Sequence, residues 1–233
     1  MTRRLLAAIL ALAALPSLAA AQNPFGNKKF LQGLMSLNSP NVASVVYVGT
    51  AADARYTVSI NYGFGTRQVD IQKSTKPKRV VTSLANGVGW VVTDGKNPTA
   101  VPAVAAQYET AIAMTPHGIF KYAQMPESKV VVADEPGPGG KPATTVTLTV
   151  AGGRIKATLN EASLVARVET LPADGSAPLV VTYDDYRDVD GMKFPFRITE
   201  KQGDRTVDLT LTEVKPNAGF YVEPPAKLAA PKK

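Results

Sequence analysis

A single histidine, His117, and the lack of any cysteine set the first limit on the chemistry open to this chain. A His/Cys metal cluster has no ligands to draw on, and a Ser/His/Asp triad would have to use His117. That residue lies between Pro116 and Gly118, at a junction where an imidazole commonly caps carbonyls or meets a helix dipole. A structural role is therefore expected of it. No Gly-x-Ser-x-Gly elbow and no phosphate-binding P-loop occurs.

The one dense group of carboxylates is Asp184, Asp185, Asp188 and Asp190, the last followed by Gly191. An EF-hand loop placed on Asp190-Gly191 would need an oxygen ligand where Tyr186 stands and a glutamate where Arg197 stands, so it fails. Asp190-Gly191 between two alternating segments is better read as a hairpin turn with Tyr183, Tyr186, Phe194 and Phe196 packed around it. Surface carboxylates of this kind also suit a loosely held calcium ion, which is the second reading. Paired carboxylates for glycoside hydrolysis depend on a separation that only the fold sets, and no pair is singled out. The expectation is a protein with no catalytic residue, no metal and no cofactor.

The ends say where such a protein works. Thr2-Arg3-Arg4, the apolar run Leu5 to Leu15, the Pro16-Ser17 break and Ala19-Ala20-Ala21 together read as a signal peptide over residues 1–21, cleaved before Gln22. Its apolar run is short of the roughly 20 residues a membrane span requires, and no later segment reaches that length. Without cysteine there is no lipobox, so a soluble periplasmic or secreted protein is expected. A mature chain of roughly 210 residues can bury enough surface to dispense with disulfides.

Basic residues number 26 against 19 acidic ones, and loss of Arg3 and Arg4 with the leader lowers the formal charge of +7 by two. This mild excess, without interleaved aromatics, points to no nucleic-acid partner. The cluster Lys73, Lys76, Lys78 and Arg79 could meet anionic lipid or an acidic partner, but a solvated loop between strands is the commoner meaning.

These groups must be carried by elements of two periods. Phe30, Leu31, Leu34, Met35 and Leu37 suit one face of a short helix within Phe25 to Leu37, stopped by Asn38-Ser39-Pro40-Asn41. Alternation then takes over at Val46 and Val48, at Tyr56, Val58, Ile60 and Tyr62, and at Val69 and Ile71, with turns at Asp53-Ala54 and Gly63-Phe64-Gly65. Asn86-Gly87 predicts a tight hairpin leading into Trp90. Ala103 to Met114 and His117 to Ala123 read as two helices broken at Thr115-Pro116. Glu135 to Gly140 reads as an unstructured connection, though not a domain boundary. Beyond it, alternation resumes at Val146–Val150, Ile155–Leu159, Leu164–Val168, Val181–Tyr183, Phe194–Ile198 and Val207–Leu211. Meandering strands with one apolar face need covers, and the helices supply them. The fold class is α+β, with one domain over residues 22–224 and a disordered Pro/Ala/Lys tail over residues 225–233.

Tyr183 to Ile198, with its Val189-Asp190-Gly191 hairpin and Phe194-Pro195-Phe196, and the closing Asn217 and Phe220 resemble the LolA-like periplasmic proteins and their uncharacterised relatives. The N-terminal helix, the lone Trp90 after a Gly hairpin and Thr115-Pro116-His117-Gly118 are also similar to a LolA-like domain that precedes some metallo-β-lactamase-fold hydrolases. The resemblance implies a curved antiparallel sheet, an incomplete β-barrel wrapping the N-terminal helix and the kinked central helices. It also implies an apolar cavity able to take acyl chains.

Lining positions chosen by alternation are Tyr56, Val58, Ile60, Trp90, Phe194, Phe196, Leu209 and Leu211. For Trp90, ordinary core filling is the alternative to ligand contact. The function expected is a non-enzymatic binder or carrier of a lipid, lipidated protein or other apolar small molecule. The alternative is an interaction module serving a separate envelope enzyme or sensor, which an inward set too bulky to leave a void would favour.

Overall fold

A computed structural model describes residues 24–126, 128–136, 140, 142–150, 153–172 and 176–228. The signal peptide expected over residues 1–21 and the last five residues of the expected tail lie outside them. The chain enters through helix α1 (Lys28–Ser36), started by Asn27, whose side chain accepts a hydrogen bond from the Phe30 amide at 3.0 Å. Its apolar stripe buries Phe30 and Leu34.

Five strands follow as a meander: β1 (Ser44–Ala51), β2 (Ala54–Asn61), β3 (Thr66–Lys73), β4 (Arg79–Ala85) and β5 (Val88–Thr93), with a short β6 (Thr99–Ala100). The β4–β5 turn is Asn86-Gly87, with φ of 51° and 72°, which is why that pair stands there. Helices α2 (Pro102–Ala113) and α3 (Pro116–Ala123) come next. Thr115 makes their junction, donating to the Ile112 carbonyl at 2.8 Å and accepting from the Gly118 amide at 3.0 Å. Gly118 is required there, since a Cβ would lie 2.0 Å from that carbonyl oxygen.

The remaining strands are β7 (Lys129–Pro136), β8 (Pro142–Val150), β9 (Gly153–Leu159), β10 (Val165–Leu171), β11 (Leu179–Val189), β12 (Met192–Gln202) and β13 (Arg205–Pro216). Among the described residues all of them join one 13-stranded sheet in the order β6-β5-β4-β3-β2-β1-β13-β12-β11-β10-β9-β8-β7. Every neighbour pair is antiparallel, and β1 with β13 is the one pairing not consecutive in sequence. The sheet is open and curved, with edges at β6 and β7 and the helices on one face: an α+β architecture of incomplete-barrel type.

Three readings of the strands change. Glu135 and Pro136 are not loop; they close β7, where Pro136 pairs with Pro142, and an edge strand tolerates proline because one side of its backbone needs no partner. In β10 the even alternation through Ala166 fails, because a bulge between Val165 and Arg167 makes Val165 and Val168 the buried pair. In β1 the residues that join the second core cluster are Val45 and Tyr47; Val48 is buried outside it and Val46 is half-buried. A central strand can be apolar on both faces, so period alone does not choose between them.

The covered face carries two clusters. The first packs Phe30, Leu34, Ile119 and Phe120 against Val132, Val146, Ile155 and Val168. The second gathers Val45, Tyr47, Ile60, Leu84, Ile112, Phe194 and Leu211. The segment after β13 is tied down by Asn217, which accepts from the Ala43 amide at 2.8 Å and donates to the Asn41 carbonyl at 2.9 Å.

Candidate functional site

Residues paired across antiparallel strands share a face, so the register of β2 to β5 draws the inner surface as rows. The innermost row is Ile60, Arg67, Leu84; the next is Val58, Val69, Thr82, Val91; the outermost is Tyr56, Ile71, Val80, Thr93. Ile60 and Leu84 are each 1% exposed, whereas the two outer rows are half-buried throughout. Half-buried Ile198, Leu209, Tyr108 and Tyr122 pack at the margin of the second cluster, as Val58 does. A shallow apolar groove results, bounded by α2, α3, β2–β5, β12 and β13.

The eight residues chosen from sequence divide among these environments. Ile60, Phe194, Phe196 and Leu211 do come together, but as buried members of the second cluster. Phe196 is roofed by the Arg187 guanidinium at 4.3 Å from its ring centre. Val58 and Leu209 stand at the half-exposed margin, and Tyr56 lies one row further out. Trp90 pairs with Ser83, which pairs with Gln68 and then Ser59, so it lies on the opposite side of the pleat from Ile60 and Leu84. The Asn86-Gly87 turn aligns Gly89 with Leu84, and Trp90, 4% exposed, is buried on the other face, as core filling expects.

The interior between helices and sheet is filled by the chain itself. Phe30, Phe120, Phe194, Ile60, Leu84, Ile112, Met114 and Ile119 are fully buried. Two surface depressions are present, a volume of about 380 Å³ beside Arg154, Glu169 and Pro178, and one of about 780 Å³ at the β5 end of the outer rows, beside Val91, Thr93, Lys96 and Val101. Neither is lined by the eight residues.

His117 is buried against Phe194, with ring centres 4.6 Å apart, and its Nδ1 shares a hydrogen bond with Ser39 Oγ at 3.0 Å. It caps no carbonyl of α2, a task Thr115 performs. Burial lowers its pKa to about 3, against which the Lys193 backbone acts and with which the Lys121 charge acts. The aspartate group behaves as strand surface: Asp190 and Gly191 turn the β11–β12 hairpin at φ 52° and 73°, Asp185 pairs with Arg187 at 2.5 Å and Asp188 with Lys193 at 3.2 Å. No group of three His, Cys, Asp or Glu residues among the described ones could hold a metal ion. The basic cluster lies in the exposed β3–β4 connection, where Arg79 pairs with Asp70 at 2.8 Å.

Sequence reasoning passed over the charged part of the groove. Arg67 sits on the inner face over the Tyr108 ring, 4.4 Å from its centre, and Lys121 of α3 places its Nζ 5.7 Å from the centre of Tyr62. Burial pushes the Tyr62 hydroxyl up to about 12, opposed by its hydrogen bond to Thr115 at 3.0 Å and by the Arg67 charge. The signal was present: Arg67 has the same parity as Val69 and Ile71, so it is a cation on an apolar face.

No family model and no curated protein matches this chain. Among solved structures, a LolA superfamily protein of Nitrosomonas europaea superposes with a TM-score of 0.53 at 13% identity, covering 86% of this chain and 96% of that one. A DUF1329 family protein of Desulfovibrio piger does so with a TM-score of 0.54 at 6% identity, covering 83% and 93%. The fold is LolA-like, shared with relatives of divergent sequence.

Proposed function

We propose that this protein is an exported, non-enzymatic binder or carrier of an apolar ligand, working in the periplasm as one unit over residues 22–224. The observation that carries the reading is the groove: apolar rows two and three of β2–β5 stay half-buried beside α2 instead of being packed shut. Each acyl methylene moved from water onto such a surface contributes up to about 0.8 kcal/mol, so a short chain suffices for measurable retention. The LolA-like fold and the leader-like start of the chain support the same reading, and no helix of the described residues is long and apolar enough to cross a membrane. A lipid or a lipidated protein is the class of cargo that such a surface suits.

A second reading, a docking module for an envelope protein, draws support from the filled interior and from Phe25, Leu31 and Met35 exposed on and beside α1, Met35 by 74%. Native mass spectrometry with lipid extraction on protein taken gently from a periplasm separates the two. The carrier reading expects a stoichiometric apolar adduct that Val69→Glu removes without loss of fold. Protein that is always empty, and that takes up no fluorescent fatty acid, overturns it in favour of docking.

A further inference from the structure

Three arginines of this sheet meet carboxylates: Arg79 with Asp70 and Arg167 with Glu169, both at 2.8 Å, and Arg187 with Asp185 at 2.5 Å. The arginine of the groove does not. Arg67 is half-buried between Ile60 and Leu84, its Nε is buried without a hydrogen-bond partner, and no carboxylate lies within ion-pair distance among the described residues. Lys121 is likewise half-buried, with no ion pair among the described residues, and burial lowers its pKa. Both cations act at Tyr62, Lys121 over its ring and Arg67 through its field.

Holding two cations on an apolar surface is costly unless an anion meets them. We propose that the ligand is a long-chain carboxylate whose head lies between Arg67 and Lys121 and whose chain runs outward along the rows Val58–Val69 and Tyr56–Ile71. The inference rests on the apolar-ligand reading and names its substrate class. Two rows beyond Arg67 give a track of about 13 Å at the rise of a strand. The planar guanidinium suits a carboxylate fork, and Arg67, half-buried while the flanking Ile60 and Leu84 are each 1% exposed, is the member of its row that a head group can reach. The acidic groups facing the site are Glu200 of β12, whose charge acts on Tyr108 and Tyr183, and Glu109 of α2, which acts on Tyr122. Both are exposed, and Glu200 competes with the ligand for the same cations.

Calorimetric titration of delipidated mature protein with dodecanoate, dodecanol and dodecyltrimethylammonium tests this. Dodecanoate should bind about tenfold or more tightly than dodecanol, the size of one charge-assisted contact, and the ammonium amphiphile more weakly than either. Arg67→Met should abolish the advantage of the carboxylate while leaving dodecanol unchanged. Arg67→Lys should keep part of that advantage, and Glu200→Gln should strengthen dodecanoate binding. If Arg67→Met fails to fold by circular dichroism, Lys121→Met with a salt titration replaces it, and the advantage must fall in both. Equal binding of acid and alcohol, or an advantage that survives these variants, overturns the inference and leaves the apolar groove standing. Binding of none of the three overturns the groove as well.

Discussion

The two halves of this sheet are covered to different depths. Over β7–β11, helices α1 and α3 press Phe30 and Phe120 together at 5.1 Å, and Val146, Ile155, Ala157, Val165 and Val168 are wholly shielded from solvent. Over β2–β5 only Ile60 and Leu84 of the innermost row are closed, by Ile112 of α2, and Arg67 and the next two rows remain half-buried. The same pleated alternation therefore serves two ends. Where two helices cross the strands it makes core, and where one helix leans over a strand end it leaves surface available to another molecule.

This contrast can be broken or sharpened by experiment. The largest effect is expected from Phe120→Ala, which empties the centre of the closed half and should destabilise the fold by about 3–5 kcal/mol in urea titration. Gly33→Ala should cost about 1–3 kcal/mol by overpacking, because the new Cβ would lie 2.4 Å from the Ser163 carbonyl oxygen and 2.7 Å from Phe120 Cζ.

Acid should act at the seam between the halves. His117 has a folded pKa of about 3 against an ordinary value of 6.5, so the unfolded chain binds the extra proton between those limits. Stability from this group is complete above pH 6.5 and declines as pH falls towards 3. Unfolding free energies from urea titration at pH 7.5 and 5.0 should differ by about 2 kcal/mol on its account, a difference that His117→Phe removes. In the open half, Val69→Ala should cost less than about 1 kcal/mol of stability yet weaken amphiphile binding. A loss as large as that of Phe120→Ala would mean that the outer rows are core and would erase the distinction between the halves.

Much of the scaffold was legible before any coordinates. Asn86-Gly87, Asp190-Gly191 and Thr115-Pro116 mark turns and a helix break because each demands backbone that few residues adopt or refuses helix outright. The period-two runs identified most strands, and the want of cysteine and of a second histidine bounded the chemistry. Alternation sorts residues into two faces but leaves unnamed the face that the helices cover. It also loses count at a bulge, as between Val165 and Arg167.

Those two gaps account for Trp90, assigned to the groove by sequence and turned away from it by register, and for Val45 and Tyr47, which joined the second cluster where Val46 and Val48 did not. Composition and local spacing determined what this protein is made of and which chemistries it lacks. The pairing of β1 with β13, across most of the chain, and the seating of α2 over Leu84 and Ile60 decided which apolar residues became core, and that an unpaired Arg67 would stand beside those left half-open. Contacts of such long range depend on how distant segments pack together, and no local pattern carries that information.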